Sequence, residues 1–524
     1  MGLIGSPAPV RRSELVALLS LGTDLGFGQP MEHVIRQCLI ALRLADFVEM
    51  GQEERVVLYY SGLLAWVGCH TDAYEQAKWF GDDIRLRSDM LVSDYSSKTD
   101  MVAFAAKYIG GNGRPLIHRA KIGIEFLGAG RRDFDAIAMN HYLATDQLAA
   151  SLGLGEDVRA SLRESYERWD GRGAFGLKGE QISRASRIVN LADVVEVFER
   201  TQGVERALAV ARERRGKQFD PAIVDLFCRE FEPVFAGLSE LETWAAVIDA
   251  EPALGKELSD EEFDDACEAI ADFADLKSPG TIGHSRAVAT LCVEGARILG
   301  LAEADVSQLR RAALLHDLGR LGVSNSIWDK RGSLNQAEME RVRLHPYLTE
   351  RMLSFSPALE PLGAIAIQHH ERLDGSGYPN GLTGDAISFP GRILAAADFY
   401  HAKTEMRPHR EAAPPDEAAA VLKQETSAGK FDPEASAAVL QAAGHAFAVQ
   451  NSQPQQALAG LTAREIEVLR LLVRGLSNRE IAERLVISRK TASNHIEHIY
   501  AKSGATNRAR ASLFALKHGL MSDL

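Results

Sequence analysis

Two adjacent histidines, His369 and His370, open the run Gln368-His369-His370-Glu371-Arg372-Leu373-Asp374-Gly375-Ser376-Gly377-Tyr378-Pro379. Paired imidazoles ahead of a glycine-broken loop can offer nitrogen lone pairs to one cation or to a pair of cations. His284, the doublet His316-Asp317, His345 and Asp398 complete a set of seven His/Asp residues from five separate segments. A set of this kind can hold two hydrolytic metal ions. Each member alone has an ordinary structural reading: a lone histidine on an apolar helix is more often a hydrogen-bonded core residue, and Asp398 could be half of a buried ion pair. The joint pattern argues for ligation. His316-Asp317 ends an apolar run through Leu309, Ala312, Ala313 and Leu315, and Asp398 follows Ile393-Leu394-Ala395-Ala396-Ala397. A charge inside such a helix is costly unless a metal or an ion pair satisfies it.

The elements that position this set read as helices over about 260–445. Val288, Leu291, Cys292, Ala296 and Leu299 recur at three- and four-residue spacing, and His345-Pro346 marks a helix start. In order, Gly283-His284-Ser285, Leu315-His316-Asp317-Leu318-Gly319, His345-Pro346, His369-His370-Glu371, Gly377-Tyr378-Pro379 and Ala397-Asp398 resemble the HD-GYP phosphodiesterases, a subgroup of the HD phosphohydrolases. The resemblance implies an all-α domain holding two divalent ions, Fe or Mn. Asp317 bridges them, with His284, His316 and Asp398 on one and His345, His369 and His370 on the other. Such a site lowers the pKa of a bound water and neutralises a phosphodiester oxygen. The implied substrates are cyclic dinucleotides, above all cyclic di-GMP. Tyr378 and the phosphate-gripping Arg407 and Arg410 serve as substrate contacts, though the two arginines also read as solvated surface residues. Two departures stand out. Arg320 occupies a catalytic position where the family usually has Lys, and Gly280 offers no side chain where some members add a carboxylate for a third metal.

The C-terminal segment is chemically different. From Leu461 onward there are 11 Lys/Arg against 6 Asp/Glu, a net +5, whereas the rest carries 48 against 66, a net −18. A basic tail on an acidic body points to nucleic acid at the tail alone. Thr462 and Glu465, then Ser477 and Glu480, form two capping boxes; Gly475 ends the first helix and Ser488 caps a third. A short helix, a tight turn and a helix with basic and amide residues at its start make a helix-turn-helix. Leu461-Thr462-Ala463-Arg464-Glu465-Ile466-Glu467-Val468-Leu469 and Ser477-Asn478-Arg479-Glu480-Ile481-Ala482 resemble the LuxR-type DNA-binding domain. The resemblance places the helix from Ser488 to about Lys502 in the major groove of double-stranded DNA, with Arg489, Lys490, Thr491, Asn494 and His495 at bases or phosphates. The competing reading is a helical protein-interaction module.

The front third echoes the middle. Glu167-Arg168-Trp169-Asp170-Gly171-Arg172-Gly173 parallels Glu371–Gly377, Arg187–Asp193 parallels Arg392–Asp398, and Phe219-Asp220-Pro221 parallels Phe431-Asp432-Pro433. In that register His33 matches His284 and His141 matches His345. The ligand pairs are gone: Leu64-Ala65-Trp66 replaces Leu315-His316-Asp317, and Ser165-Tyr166 replaces His369-His370. The copy keeps the fold and loses the two-metal chemistry, leaving a sensor pocket, a pseudo-symmetric packing partner or plain scaffold as its role. His70 and Asp72 could rebuild one ligand site.

The expected architecture is therefore all-α: a degenerate HD-type domain over 1–245, an intact one over 246–445, an uncharged linker at 446–460 and a four-helix reader over 461–524. No apolar run reaches about 18 residues and no charged start precedes an apolar core, so neither a membrane span nor a secretory signal is expected. Five scattered cysteines without a C-x-x-C pair fit reduced thiols in a cytoplasm. These features describe a homodimeric transcription regulator whose metal domain senses or hydrolyses a cyclic dinucleotide. The alternative is an active cyclic di-GMP phosphodiesterase with DNA binding secondary.

Overall fold

The computed structural model describes residues 9–93, 104, 106–111, 115–126, 131–252, 255–445, 461–473, 476–485, 487–505, 511, 514 and 515. Among them every regular element is helical, and the only β pairings are isolated bridges. No helix among them is long and apolar enough to cross a membrane. The chain divides into two compact units, Met1–Phe447 and Ala448–Leu524.

No break in packing falls at the expected 245/246 boundary, because residues from both sides build one core. The helix Arg12–Gly26 shows why. All its residues but Arg12 and Leu25 are buried, so it has neighbours on every side. It packs against the front-copy helices His33–Asp46 and Gln52–Leu64. It meets the second copy where the Glu14 carboxylate accepts from Ser356 Oγ at 2.7 Å and where Gly22 abuts Leu321. A second joint is polar and buried. Asp83 accepts from the Ser324 hydroxyl at 2.6 Å and from the Asn325 amide at 2.8 Å, and it lies 3.6 Å from the Lys277 ammonium and 3.4 Å from Arg87.

The repeat is visible in the backbone. The helices His33–Asp46 and His284–Ile298 both begin at the histidine, and both follow a residue in the left-handed region, Glu32 (φ 80°) and Gly283 (φ 81°). Each is followed by a second helix, Gln52–Leu64 or Glu303–Leu315, and then by a 3₁₀ turn, Val67–His70 or Leu318–Gly322. A Cβ on Gly68 would fall 2.3 Å from the His141 carbonyl, and one on Gly319 would fall 2.0 Å from the His345 carbonyl. The same close approach therefore recurs at matching positions.

The second unit builds its own core from Leu461, Val468, Leu469, Leu472, Ile481, Ala482, Ala492, Ile496 and Ile499. Both expected capping boxes form: Thr462 N donates to Glu465 at 2.7 Å and Ser477 N to Glu480 at 2.7 Å, with the reciprocal hydroxyl bonds present. Ser488 caps the helix Arg489–Ser503, and Gly504 ends it in the left-handed region. The linker, the helix end at Gly475 and most of the expected fourth helix lie outside the described residues.

Candidate metal centre and DNA reader

Each of the seven His/Asp residues sits at an element end or on an inward helix face. His284 opens its helix, His316 caps Glu303–Leu315, Asp317 precedes the 3₁₀ turn, and His345 opens His345–Leu353. His369 and His370 close the turn Ile367–His370, and Asp398 lies within Phe389–Thr404. All are buried except His370, whose side chain is 22 % exposed.

The Asp317 carboxylate organises them. Its Oδ2 faces one group, with His284 Nε2 and His316 Nε2 each at 3.7 Å. Its Oδ1 faces another, with His345 Nε2 at 3.4 Å and His369 Nε2 at 3.7 Å. Asp398 joins the first group, 3.3 Å from His284 Nε2 and 4.0 Å from His316 Nε2, and its other oxygen is 3.5 Å from His370 Nδ1. Ligand-capable atoms cluster as His284/His316/Asp398 and as His345/His369/His370, with Asp317 between them.

The donor chemistry fits cations. His316, His345 and His369 each point Nδ1 at the backbone carbonyl three residues earlier, at 2.7, 2.6 and 2.6 Å. A carbonyl can only accept, so each Nδ1 carries the proton and each Nε2 presents a lone pair to the centre. His345 Nε2 and His369 Nε2 then face each other at 3.0 Å as two acceptors, and His316 Nε2 is buried without a hydrogen-bond partner. An intervening positive charge resolves both conflicts. Burial holds His345 down to about 4 and His369 to about 3, so both stay neutral ligands at neutral pH. For Asp317, burial opposes ionisation, but the positive charge around it, Arg320 above all, outweighs it and holds the carboxyl well below its ordinary range.

Sequence reasoning missed a supporting shell. His284 Nδ1 lies 3.1 Å from Glu405, a carboxylate–histidine arrangement that orients the ring. Glu405 also contacts His401 at 3.2 Å and accepts from Arg407. No periodicity marked Glu405, because it lies in extended backbone just past the end of the helix Phe389–Thr404. Glu371 is almost fully buried and accepts from the Asn380 and Leu382 amides, at 2.7 and 2.9 Å, which fixes the loop carrying Tyr378.

Arg320 donates to Asp317 Oδ2 at 2.9 Å, and its guanidinium stacks 4.0 Å from the Trp328 ring centre. A carboxylate oxygen has lone pairs enough to accept from Arg320 and ligate a cation. Tyr378 stands 4.7 Å from the His370 ring, and burial pushes its phenol up, so it remains a neutral donor. Arg407 reaches the cluster only through Glu405, and Arg410 donates to the Ala402 carbonyl. Gly280 abuts the loop at Met406 and Arg407.

The front copy offers no comparable group of three ligands among the described residues. His33 is paired with Glu196 at 2.5 Å and Asp193 at 3.5 Å, and His141 with Asp72 at 2.6 Å. His70 turns away, with each ring nitrogen facing a backbone carbonyl, of Val67 or of Phe273.

On the reader, Arg489, Lys490, Thr491 and Asn494 are exposed at the start of the helix Arg489–Ser503, and His495 is half-buried. Ala492, Ile496 and Ile499 face inward. Lys502 donates to Glu465 at 2.7 Å, tying this helix to Ala463–Val473.

Comparison with known proteins places these features. Residues 268–435 match the family model for the HD domain, and residues 459–515 match that for bacterial regulatory proteins of the luxR family. The 3'3'-cGAMP-specific phosphodiesterase 3 of Vibrio cholerae is 34 % identical over 434 residues, 82 % of this chain and 94 % of that protein. The chain belongs to the HD-domain phosphodiesterases. A crystal structure of the Vibrio cholerae cyclic GMP-AMP phosphodiesterase V-cGAP3 aligns with a TM-score of 0.58 at 31 % identity, covering 84 % of this chain and 99 % of that one. The cyclic di-GMP phosphodiesterase response regulator RpfG of Xanthomonas campestris is 42 % identical over 144 residues, 27 % of this chain and 40 % of that protein. This HD-domain phosphodiesterase thus carries a LuxR-family DNA-binding domain at its C-terminal end. HD-domain phosphodiesterases are metal-dependent.

Proposed function

We propose that this HD-domain phosphodiesterase is a cytoplasmic, homodimeric transcription regulator, in which the metal centre binds or cleaves a cyclic dinucleotide and the LuxR-family domain reads DNA. The observation that carries the reading is Asp317, whose two oxygens each face a separate ligand group in a chain that also holds an exposed, basic reading helix. His284, His316 and Asp398 would hold one divalent ion and His345, His369 and His370 a second, with Asp317 available to both groups; Fe or Mn suits the set. Bound there, such ions would lower the pKa of a water and neutralise phosphodiester charge. Arg320 adds a fixed positive charge beside the bridge, and Tyr378 donates from the wall. Arg407 and Arg410 meet substrate phosphate once Arg407 leaves Glu405. The relatives support this substrate class: the one matched over 82 % of this chain is named for 3'3'-cGAMP, and the one matched over 27 % is named for cyclic di-GMP.

The complete ligand set favours turnover as well as binding. Purified protein is incubated with Mn(II) or Fe(II) and either 3'3'-cGAMP or cyclic di-GMP. A linear product is expected. Binding without product reduces the domain to a sensor, and absence of both contradicts the proposal.

On the reader, Lys490 and Asn494 lie four residues apart on one exposed helix face. Asn494→Ala is expected to weaken specific DNA binding by about 1–3 kcal/mol and to leave binding to random DNA nearly unchanged, because base contacts carry sequence information and phosphate contacts do not. A gel-shift titration on selected and scrambled DNA decides it. Equal loss on both removes Asn494 from base reading.

A further inference from the structure

The front copy retains a cavity where the second copy has its metal centre. It has a volume of about 510 Å³ and is lined by Phe27, Trp66, Phe80, Tyr166, Asn190 and Asp193, among others. The register rests on backbone contacts. Besides the matching glycines Gly68 and Gly319, a Cβ on Gly173 would fall 2.5 Å from Glu167 Cα, and one on Gly377 would fall 2.5 Å from Glu371 Cα. In that register Trp66 stands for Asp317 and Tyr166 for His370. The two rings meet edge to face, with centres 5.7 Å apart, and the His141 ring lies 5.9 Å from Tyr166.

A site that had merely lost its ligands would be filled by the larger side chains, since interiors tolerate few voids bigger than a water molecule. Here the aromatic replacements line a space within the roughly 300–1,000 Å³ range of small-molecule sites. The walls are apolar, but their polar atoms are specific. Trp66 Nε1 is buried with no acceptor, and Asp193 Oδ1 is buried with no hydrogen-bond donor, its nearest cation being His33 Nε2 at 3.5 Å. The Asp193 residue is only 4 % exposed. Arg172 also lines the cavity, is exposed, and has no ionic partner among the described residues.

We infer that the front cavity binds a planar heteroaromatic anion of mononucleotide size. Trp66 donates to a ring nitrogen or carbonyl of the base, Asp193 accepts from an amine or ring N–H, and Phe27, Phe80 and Tyr166 enclose the ring. Arg172 faces the phosphate. A flat ring with both a donor and an acceptor edge matches these groups; a saturated chain leaves the buried Trp66 N–H unmet, which is costly.

The test uses the full chain in excess chelator, so that the metal centre offers no cation to a phosphate. Equilibrium dialysis is run with GMP, AMP, the two unphosphorylated nucleosides and decanoate. Saturable binding of GMP or AMP at one equivalent is expected. Trp66→Phe keeps the ring, removes the N–H, and should weaken that binding about five- to tenfold. Arg172→Ala changes an exposed side chain and should weaken nucleotide binding while leaving the matching nucleoside unaffected. No nucleotide binding up to millimolar concentration overturns the inference. So does binding that neither variant changes, or binding of decanoate alone. None of these outcomes bears on the proposed metal-centre function, which rests on different residues.

Discussion

Asp317→Ala is expected to purify with most of its metal gone and with phosphodiester cleavage abolished. Losing a partner behind a ligand commonly costs about 10–100-fold in metal affinity. Asp317 is placed more centrally than any such partner, because its two oxygens face histidines of both groups at 3.4–3.7 Å. Its removal also strips the anion from Arg320 and leaves the facing lone pairs of His345 and His369 uncompensated. Both ions should therefore weaken together, by more than about 100-fold. Elemental analysis per folded chain reads this directly. His33→Ala, in the front copy, should leave metal content unchanged. Wild-type metal content in Asp317→Ala would refute the ligand assignment.

Gly319→Ala should be nearly as damaging for a different reason. The new methyl group would lie 2.0 Å from the His345 carbonyl and 2.8 Å from the Thr349 nitrogen, both backbone atoms that cannot rotate aside. Relief requires the 3₁₀ turn and the helix His345–Leu353 to separate by about an ångström. That breaks the Gly319 N–H bond to Thr349 at 2.8 Å and withdraws His345 from the centre. Overpacking of this kind costs about 1–3 kcal/mol or more. Denaturant midpoints should fall, and on the proposed assignment the ion at His345, His369 and His370 should be lost first. Gly68→Ala creates the same clash in the front copy, 2.3 Å from the His141 carbonyl. It should lower stability without changing metal content. If the two variants alter metal content equally, the two copies do not divide the work as described.

The all-helical fold was legible, and the candidate ligands could be singled out, because residue type and spacing carry both signals. Seven His/Asp residues at element ends or on an apolar helix, two capping boxes and a charge switch are local signals, and the front copy's likeness to the second showed in short echoes such as Arg187–Asp193. What stayed hidden depends on segments far apart in sequence. Glu405 behind His284, Trp328 beneath Arg320 and Asp83 beneath Ser324 and Asn325 are contacts that no periodicity encodes. The single core of residues 1–447 was hidden for the same reason: the helix Arg12–Gly26 reads as an ordinary buried helix, and only packing shows that it serves both copies. The front cavity was foreseen only as a choice between a pocket and scaffold, because sequence shows that ligands were replaced but not whether the space behind them closed.

The central claim is that the metal centre and the DNA reader act on one another rather than merely sharing a chain. LuxR-type readers acting as dimers need two reading helices at a spacing set by the half-sites, so a ligand that changes the dimer changes DNA affinity. Linkage requires the reverse effect to be equal. The direct measurement is the affinity of a non-hydrolysable cyclic dinucleotide for the full metal-loaded chain, with and without saturating DNA selected for specific binding. The account predicts a shift of about 5- to 150-fold, matched by the shift in DNA affinity when the nucleotide is added. An unchanged nucleotide affinity, with both sites shown to be occupied, would contradict it.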